Sequence, residues 1–205
     1  MKILFQGDSI TDTGRNREDE RHLGYGYARD VKRILNAEPN DYEFINKGIS
    51  GNRVTDLISR WKKDCLNIKP DFISILIGVN DVWHEYDGEN GVDAESYEMF
   101  YDLLIKRTLE KLPGVKVMIL IPYLLPGCGW EEYGAEFKDE VVKRGEAAKR
   151  IAEKYNLPYI ELQNGLDKYI EENPGAVLSG DGVHPNNEGH KVIAKMWVEK
   201  FKEII

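Results

Sequence analysis

Phe72-Ile73-Ser74-Ile75-Leu76-Ile77 runs directly into Gly78-Val79-Asn80-Asp81. Six nearly continuous apolar residues, several of them β-branched, read as a strand buried on both faces, because a half-exposed strand alternates apolar with polar positions. Such a strand belongs to a parallel sheet with helices packed on both sides. Outward from it lie four more apolar runs, at residues 2–5, 42–46, 115–121 and 158–162, the last reading as an edge strand. The segments between them are charge-rich and of helical length. Residues 25–37 carry Val31, Ile34 and Leu35 on one face, and residues 55–68 carry Leu57, Ile58, Trp61 and Leu66 among cations. Further helices are expected at 94–112, ended by Pro113-Gly114, at about 136–155, at 164–172 and at 186–205. Residues 123–133, rich in proline, glycine and aromatics, read as a long irregular loop. The class is therefore α/β, with three layers.

At this length, residues 1–205 suit one domain with a single substantial core. Hydrophobic content of 41% and charged content of 31% are those of an ordinary globular chain, which argues against disorder. A net charge of −8 without a dense Lys/Arg run argues against a nucleic-acid partner and against an acidic polymer as substrate. Cys65 and Cys128 have no metal-ligand spacing and read as reduced thiols. Residues 3–5 are too short for the apolar core of a secretory signal, and no stretch reaches membrane-spanning length, so a cytoplasmic protein with no membrane partner is expected.

The chemistry is read from the turns that end the strands. Ile3-Leu4-Phe5 stops at Gly7-Asp8-Ser9-Ile10-Thr11, which places Ser9 on a tight turn as a candidate nucleophile. A hydroxyl needs a base and a group to hold that base. Asp181-Gly182-Val183-His184-Pro185 presents a carboxylate and an imidazole three residues apart. Ser50-Gly51-Asn52 and Gly78-Val79-Asn80-Asp81 come after other strands and offer a backbone N–H and a side-chain amide for a developing oxyanion. Ligands of open α/β sheets bind beyond the carboxyl ends of the strands, so Ser9, Gly51 and Asn80, which follow the first, second and third strands, should converge on one crevice. Simpler roles stand beside each reading: a helix N-cap for Ser9, a turn glycine for Gly51, an Asx-turn for Asp81, and a brace for the turn in the case of Asp8. His190 and His22 are expected to be structural and solvated, respectively.

Taken in order, the four blocks resemble the SGNH hydrolases, or GDSL family: Gly7-Asp8-Ser9-Ile10, Gly51, Gly78 to Asp81, and Asp181 with His184. The resemblance implies a flavodoxin-like strand order of 2-1-3-4-5 and a serine carboxylic-ester hydrolase working through an acyl-enzyme on Ser9. His184 would then be the general base and Asp181 its partner. The oxyanion hole would comprise Ser9, Gly51 and Asn80, with neither metal nor other cofactor. Within the family, residues 7–15, 23–27, 46–61 and 77–86 look like bacterial acetylxylan and xylo-oligosaccharide esterases, which implies a small acetylated oligosaccharide as partner. Some of those enzymes carry an aromatic residue immediately before the catalytic aspartate, where this chain has Gly180.

Trp83, His84, Tyr86 and Trp130, with Tyr133, fall on the expected rim and are candidate substrate contacts. Flat rings there could stack on sugar faces, or pack against other loops or a second copy of the chain. Two other function classes remain open from residue types alone. Asp8, Asn80, Asp181 and His184 could serve a metal-dependent phosphoesterase, and Ser9 to Gly14 could form the hydroxyl-rich loop of a flavodoxin-like binding module. A thioesterase or lysophospholipase is the variant with a different acyl specificity.

Overall fold

The computed structural model describes every residue except Glu20. Five strands, β1 (Lys2–Gly7), β2 (Glu43–Asn46), β3 (Phe72–Leu76), β4 (Lys116–Ile121) and β5 (Tyr159–Glu161), form one all-parallel sheet in the order β2-β1-β3-β4-β5. The helices are α1 (Ser9–Asp12), α2 (Tyr27–Leu35), α3 (Val54–Trp61), α4 (Val79–Gly88), α5 (Ala94–Lys111), α6 (Cys128–Glu131), α7 (Ala135–Lys154), α8 (Leu162–Glu172) and α9 (Asn187–Ile204). The α/β class read from the sequence and the strand order implied by the resemblance are both realised.

Alternation along each strand divides the core in two. Ile3 and Phe5 of β1, Phe72 and Leu76 of β3, and Met118 and Leu120 of β4 pack with α2, α8 and α9. Leu4, Ile73, Ile75, Val117 and Ile119 pack with α3, α5 and α7 on the other face. All five residues of β3 are buried, as expected of the central strand, and its one polar member is satisfied: Ser74 Oγ accepts a hydrogen bond from Trp197 Nε1 at 2.8 Å.

Several elements depart from the sequence reading. The expected helix over 55–68 is α for Val54–Trp61 and then widens into a π turn over Lys62–Leu66. There Asn67 N–H reaches back to the Lys62 carbonyl, while the side-chain amide of Gln6 in β1 donates to the Asp64 carbonyl. Residues 123–133 are not wholly irregular, since they include the single helical turn α6. Helix α4 was not foreseen. Val79, Val82, Trp83 and Tyr86 have helical spacing, but the segment is short and begins inside the Gly78 to Asp81 block. β5 is shorter than expected and passes at Leu162 straight into α8. Cys65 is buried and Cys128 exposed, and both are free thiols. Among the described residues, no helix is long and apolar enough to cross a membrane.

Candidate active site

β1, β2 and β3 all deliver chain to the same edge of the sheet. β1 ends at Gly7, where φ is +155° and a Cβ would lie 2.2 Å from the Leu76 carbonyl oxygen of β3. Only glycine lets the backbone pass so close, and it turns the chain into α1 with Ser9 as its first residue. Asp8 caps this helix, its Oδ1 accepting from Ile10 N–H at 3.0 Å. Ser9, as the first helical residue, has no intrahelical partner for its own N–H.

The chain reaches this edge again 175 residues later. Ser9 Oγ lies 2.8 Å from His184 Nε2, and His184 Nδ1 lies 2.6 Å from Asp181 Oδ2. Both ring nitrogens are therefore engaged in one hydrogen-bonded line from hydroxyl to carboxylate. The other carboxylate oxygen of Asp181 accepts from Val183 N–H at 2.9 Å and from His184 N–H at 2.8 Å. Partial burial disfavours the charge on Asp181, but the hydrogen bonds from His184 and Val183 outweigh it and hold the carboxyl down at about 2. It is ionised at neutral pH and poised to stabilise a protonated imidazole.

Sequence reasoning missed Ser179, a buried hydroxyl 3.0 Å from Asp181 Oδ1 and 2.8 Å from the His184 carbonyl oxygen. It also accepts from Gly182 N–H at 2.8 Å, which closes the loop on itself. The Ser-x-Asp spacing was a usable signal.

The Gly51 loop is tied to the Ser9 helix. Asp12 of α1 accepts from Ser50 N–H at 3.1 Å, and Arg15 Nε donates to the Gly48 carbonyl at 2.7 Å. Gly51 itself has φ +81°. Asn80 is the second residue of α4 and is buried, its Nδ2 donating to the Asn52 carbonyl at 3.2 Å. An amide nitrogen carries two hydrogens, so one remains beyond this bond. Arg60 of α3 was likewise missed. It reaches the carbonyls of Lys47 and Gly7 and the side chains of Gln6 and Asn52, joining the loops after β1 and β2 from beneath. Nothing local in the sequence betrays that reach.

Other expectations need correction. Asp81 makes no Asx-turn; its buried carboxyl accepts from Val54 N–H, at 3.0 Å to Oδ1, and so caps α3 from another element. Burial drives its pKa well above the carboxylate range. His22 is half-buried rather than solvated, with Nδ1 accepting from the N–H groups of Asn16 and Gly24. His190, by contrast, has the structural place expected of it: it is buried on α9, where Nδ1 accepts from Tyr27 N–H at 3.2 Å and burial lowers the imidazole to about 4.

Trp83 lies with its ring centroid 6.1 Å from that of His184, and Trp83, Tyr86, Trp130 and Tyr133 all meet Phe137 of α7. His84 is half-exposed on α4, and a Cβ on Gly51 would stand 4.0 Å from its Nε2. Among the described residues, no three or more His, Cys, Asp or Glu side chains are grouped to hold a metal ion.

Residues 5–192 match the model of the GDSL-like lipase/acylhydrolase family. The chain is 36% identical over 211 residues to an acetylxylan esterase of Geobacillus stearothermophilus, covering 98% of this chain and 93% of the relative. A crystal structure of an acetylxylan esterase from that organism superposes with a TM-score of 0.86, at 33% identity, over 97% of this chain and 93% of the other. An alpha/beta hydrolase from the metagenome of Lake Arreo superposes with a TM-score of 0.87, at 30% identity, over 98% and 94% of the two chains.

Proposed function

The chain belongs to the GDSL-like lipase/acylhydrolase family, and from that premise we propose that it removes acetyl groups from the hydroxyls of short acetylated sugars, with Ser9 as nucleophile, His184 as general base and Asp181 as the carboxylate that orients it. The observation that carries this reading is the line Ser9 Oγ, His184, Asp181, at 2.8 Å and 2.6 Å.

In the first half-reaction His184 Nε2 takes the Ser9 proton while Oγ attacks the ester carbonyl. The carbonyl oxygen becomes an oxyanion, met by the N–H groups of Ser9 and Gly51 and by the Asn80 amide. Such a donor contributes about 3 kcal/mol to lowering the barrier. The C–O bond to the alcohol breaks as His184 returns the proton to it, leaving an acyl group on Ser9. Water then gives a proton to His184 and attacks the acyl carbon; acetate departs and Ser9 recovers its proton. Asp181 stays ionised throughout, and residues 1–205 work as one domain without a cofactor.

The sugar assignment rests on likeness to acetylxylan esterases. One observation favours a second reading, the same chemistry with a wider acyl range: among the described residues, none beyond Gly180 and its chain neighbours places a heavy atom within 4 Å of where a Cβ on Gly180 would stand, so no side chain walls off the position before Asp181.

Ser9→Ala should leave the fold intact and abolish hydrolysis of both p-nitrophenyl acetate and acetylated xylo-oligosaccharides; undiminished turnover would refute the nucleophile. In the parent enzyme kcat/KM should fall on the acid side, because a protonated His184 cannot accept the serine proton. A panel of acyl lengths separates the two readings, since equal rates on acetyl and butyryl esters would favour the wider one.

A further inference from the structure

Phe137, buried in the first turn of α7, is the hub of the aromatic cluster, and Trp130 stacks on it with ring centroids 6.4 Å apart. Through Trp130 the cluster meets the loop that carries Asp181. Trp130 Nε1–H donates to the Leu125 carbonyl at 2.8 Å, and Leu125 N–H donates to the Gly182 carbonyl at 2.7 Å. Gly129 N–H donates to the Asp181 carbonyl at 2.9 Å.

The fit leaves no room for side chains. A Cβ on Gly182 would lie 2.4 Å from Trp130 Nε1 and 2.6 Å from the Leu125 carbonyl oxygen, and one on Gly127 would lie 2.1 Å from the Gly182 nitrogen. Gly182 also has φ +86°, a conformation that an L side chain would strain. The turn of residues 125–130 and the loop at 181–182 are thus interlocked backbone to backbone, and the indole fills the space behind Gly182.

We propose that Trp130 is a positioning residue that acts through Gly182, fixing where Asp181 holds the imidazole of His184. The proposal rests on the roles given above to Ser9, His184 and Asp181. Its consequence is that the indole governs rate rather than substrate affinity. With its N–H bound to Leu125 and one face on Phe137, the ring serves the loop behind the carboxylate. A ring that stacked on a sugar would alter KM for an oligosaccharide and leave a small aryl ester untouched.

The test uses Trp130→Phe and Gly129→Ala, with folding checked by near-UV circular dichroism and thermal unfolding. Both are assayed on p-nitrophenyl acetate and on an acetylated xylo-oligosaccharide across pH. Trp130→Phe keeps a ring on Phe137 but loses the N–H to Leu125; Gly129→Ala presses on Asp181, whose Cβ would be 2.9 Å from the new methyl group. For each variant kcat should fall ~10–100-fold on both substrates, with KM within roughly twofold of the parent, as expected for a misplaced catalytic group. The acid limb of kcat/KM should also move to lower pH, because a less firmly held carboxylate stabilises the imidazolium less.

A rise in KM confined to the sugar substrate, with kcat on the aryl ester intact, would overturn the proposal and make Trp130 a substrate contact. Parental rate constants and pH profiles in the folded variants would overturn it too. Gly129→Ala displaces Asp181 without touching the indole and so gives the signature of a misplaced carboxylate; the role of the indole is decided by Trp130→Phe or, should that variant not fold, by Trp130→Tyr, which also lacks the indole N–H. Ser9→Ala, run alongside, separates the failures: if it still turns over, the site reading itself falls, whereas if it is inactive while Trp130→Phe matches the parent, only the positioning role falls.

Discussion

Asp8 lies inside the turn that carries Ser9, and its two oxygens are in unequal situations. Oδ1 accepts from Ile10 N–H, while Oδ2 is buried and has no hydrogen-bond partner among the described residues. Burial pushes the carboxyl up to about 7, against the opposing pull of the Ile10 N–H and the charge on His184. Its folded-state affinity for a proton thus exceeds that of the unfolded chain, whose carboxyl titrates near 3.8. The fold gains most below that lower value and loses the contribution as pH rises through about 7, because the folded state must then hold an uncompensated buried charge. Asp8→Asn keeps the acceptor for Ile10 and removes the charge. Its stability relative to the parent should therefore improve between pH 5 and pH 8 by about 1–3 kcal/mol, read from urea unfolding at the two pH values. An unchanged difference between them would show that Asp8 is ionised in the fold. From the sequence, Asp8 is legible as a brace for the turn, since an Asx cap is a local device. Its abnormal titration was not, because whether a turn residue is sealed from water depends on how the rest of the chain packs over it.

At the scale of elements, apolar periodicity located five strands and six of the longer helices to within a few residues. It failed where a distant group interfered. The π turn after α3 forms where Gln6 of β1 binds the Asp64 carbonyl, and the start of α3 is held by Asp81 from the α4 segment. The junction of β1 with α1 shows the same dependence. Gly7 faces the Leu76 carbonyl across the sheet, and a methyl group there would sit 2.2 Å from a backbone atom that cannot rotate away. Gly7→Ala should therefore separate β1 from β3 at the point where Ser9 is presented. The expected cost is at least about 2 kcal/mol, read as a lower urea midpoint, together with a lower kcat at temperatures where the variant is still folded. A parental midpoint would show that the two strands tolerate greater separation.

For the whole molecule, the question is how a serine near one end of the chain comes to meet a histidine near the other. Helix α9 begins three residues after His184, and its seat on the sheet is Trp197. This fully buried ring lies against Phe5 of β1, Phe72 of β3 and Phe201, and its Nε1 binds Ser74. Trp197→Ala should cost about 3–5 kcal/mol, and on heating its esterase activity and far-UV signal should disappear together at a lower temperature than in the parent. Activity lost well before secondary structure would mean that the site is seated by something other than this helix. The sequence by itself determined the class of fold, the parallel sheet and the residue types gathered after each strand, because strand and helix periods and turn residues are local signals. Only the tertiary structure decided that Ser9 and His184 lie within hydrogen-bond distance, that Asp8 and Asp81 are sealed from water, and that the aromatic residues pack on Phe137. Those facts depend on which strands become neighbours and on how α9 packs over them, and no short window of sequence contains both sides of such a contact.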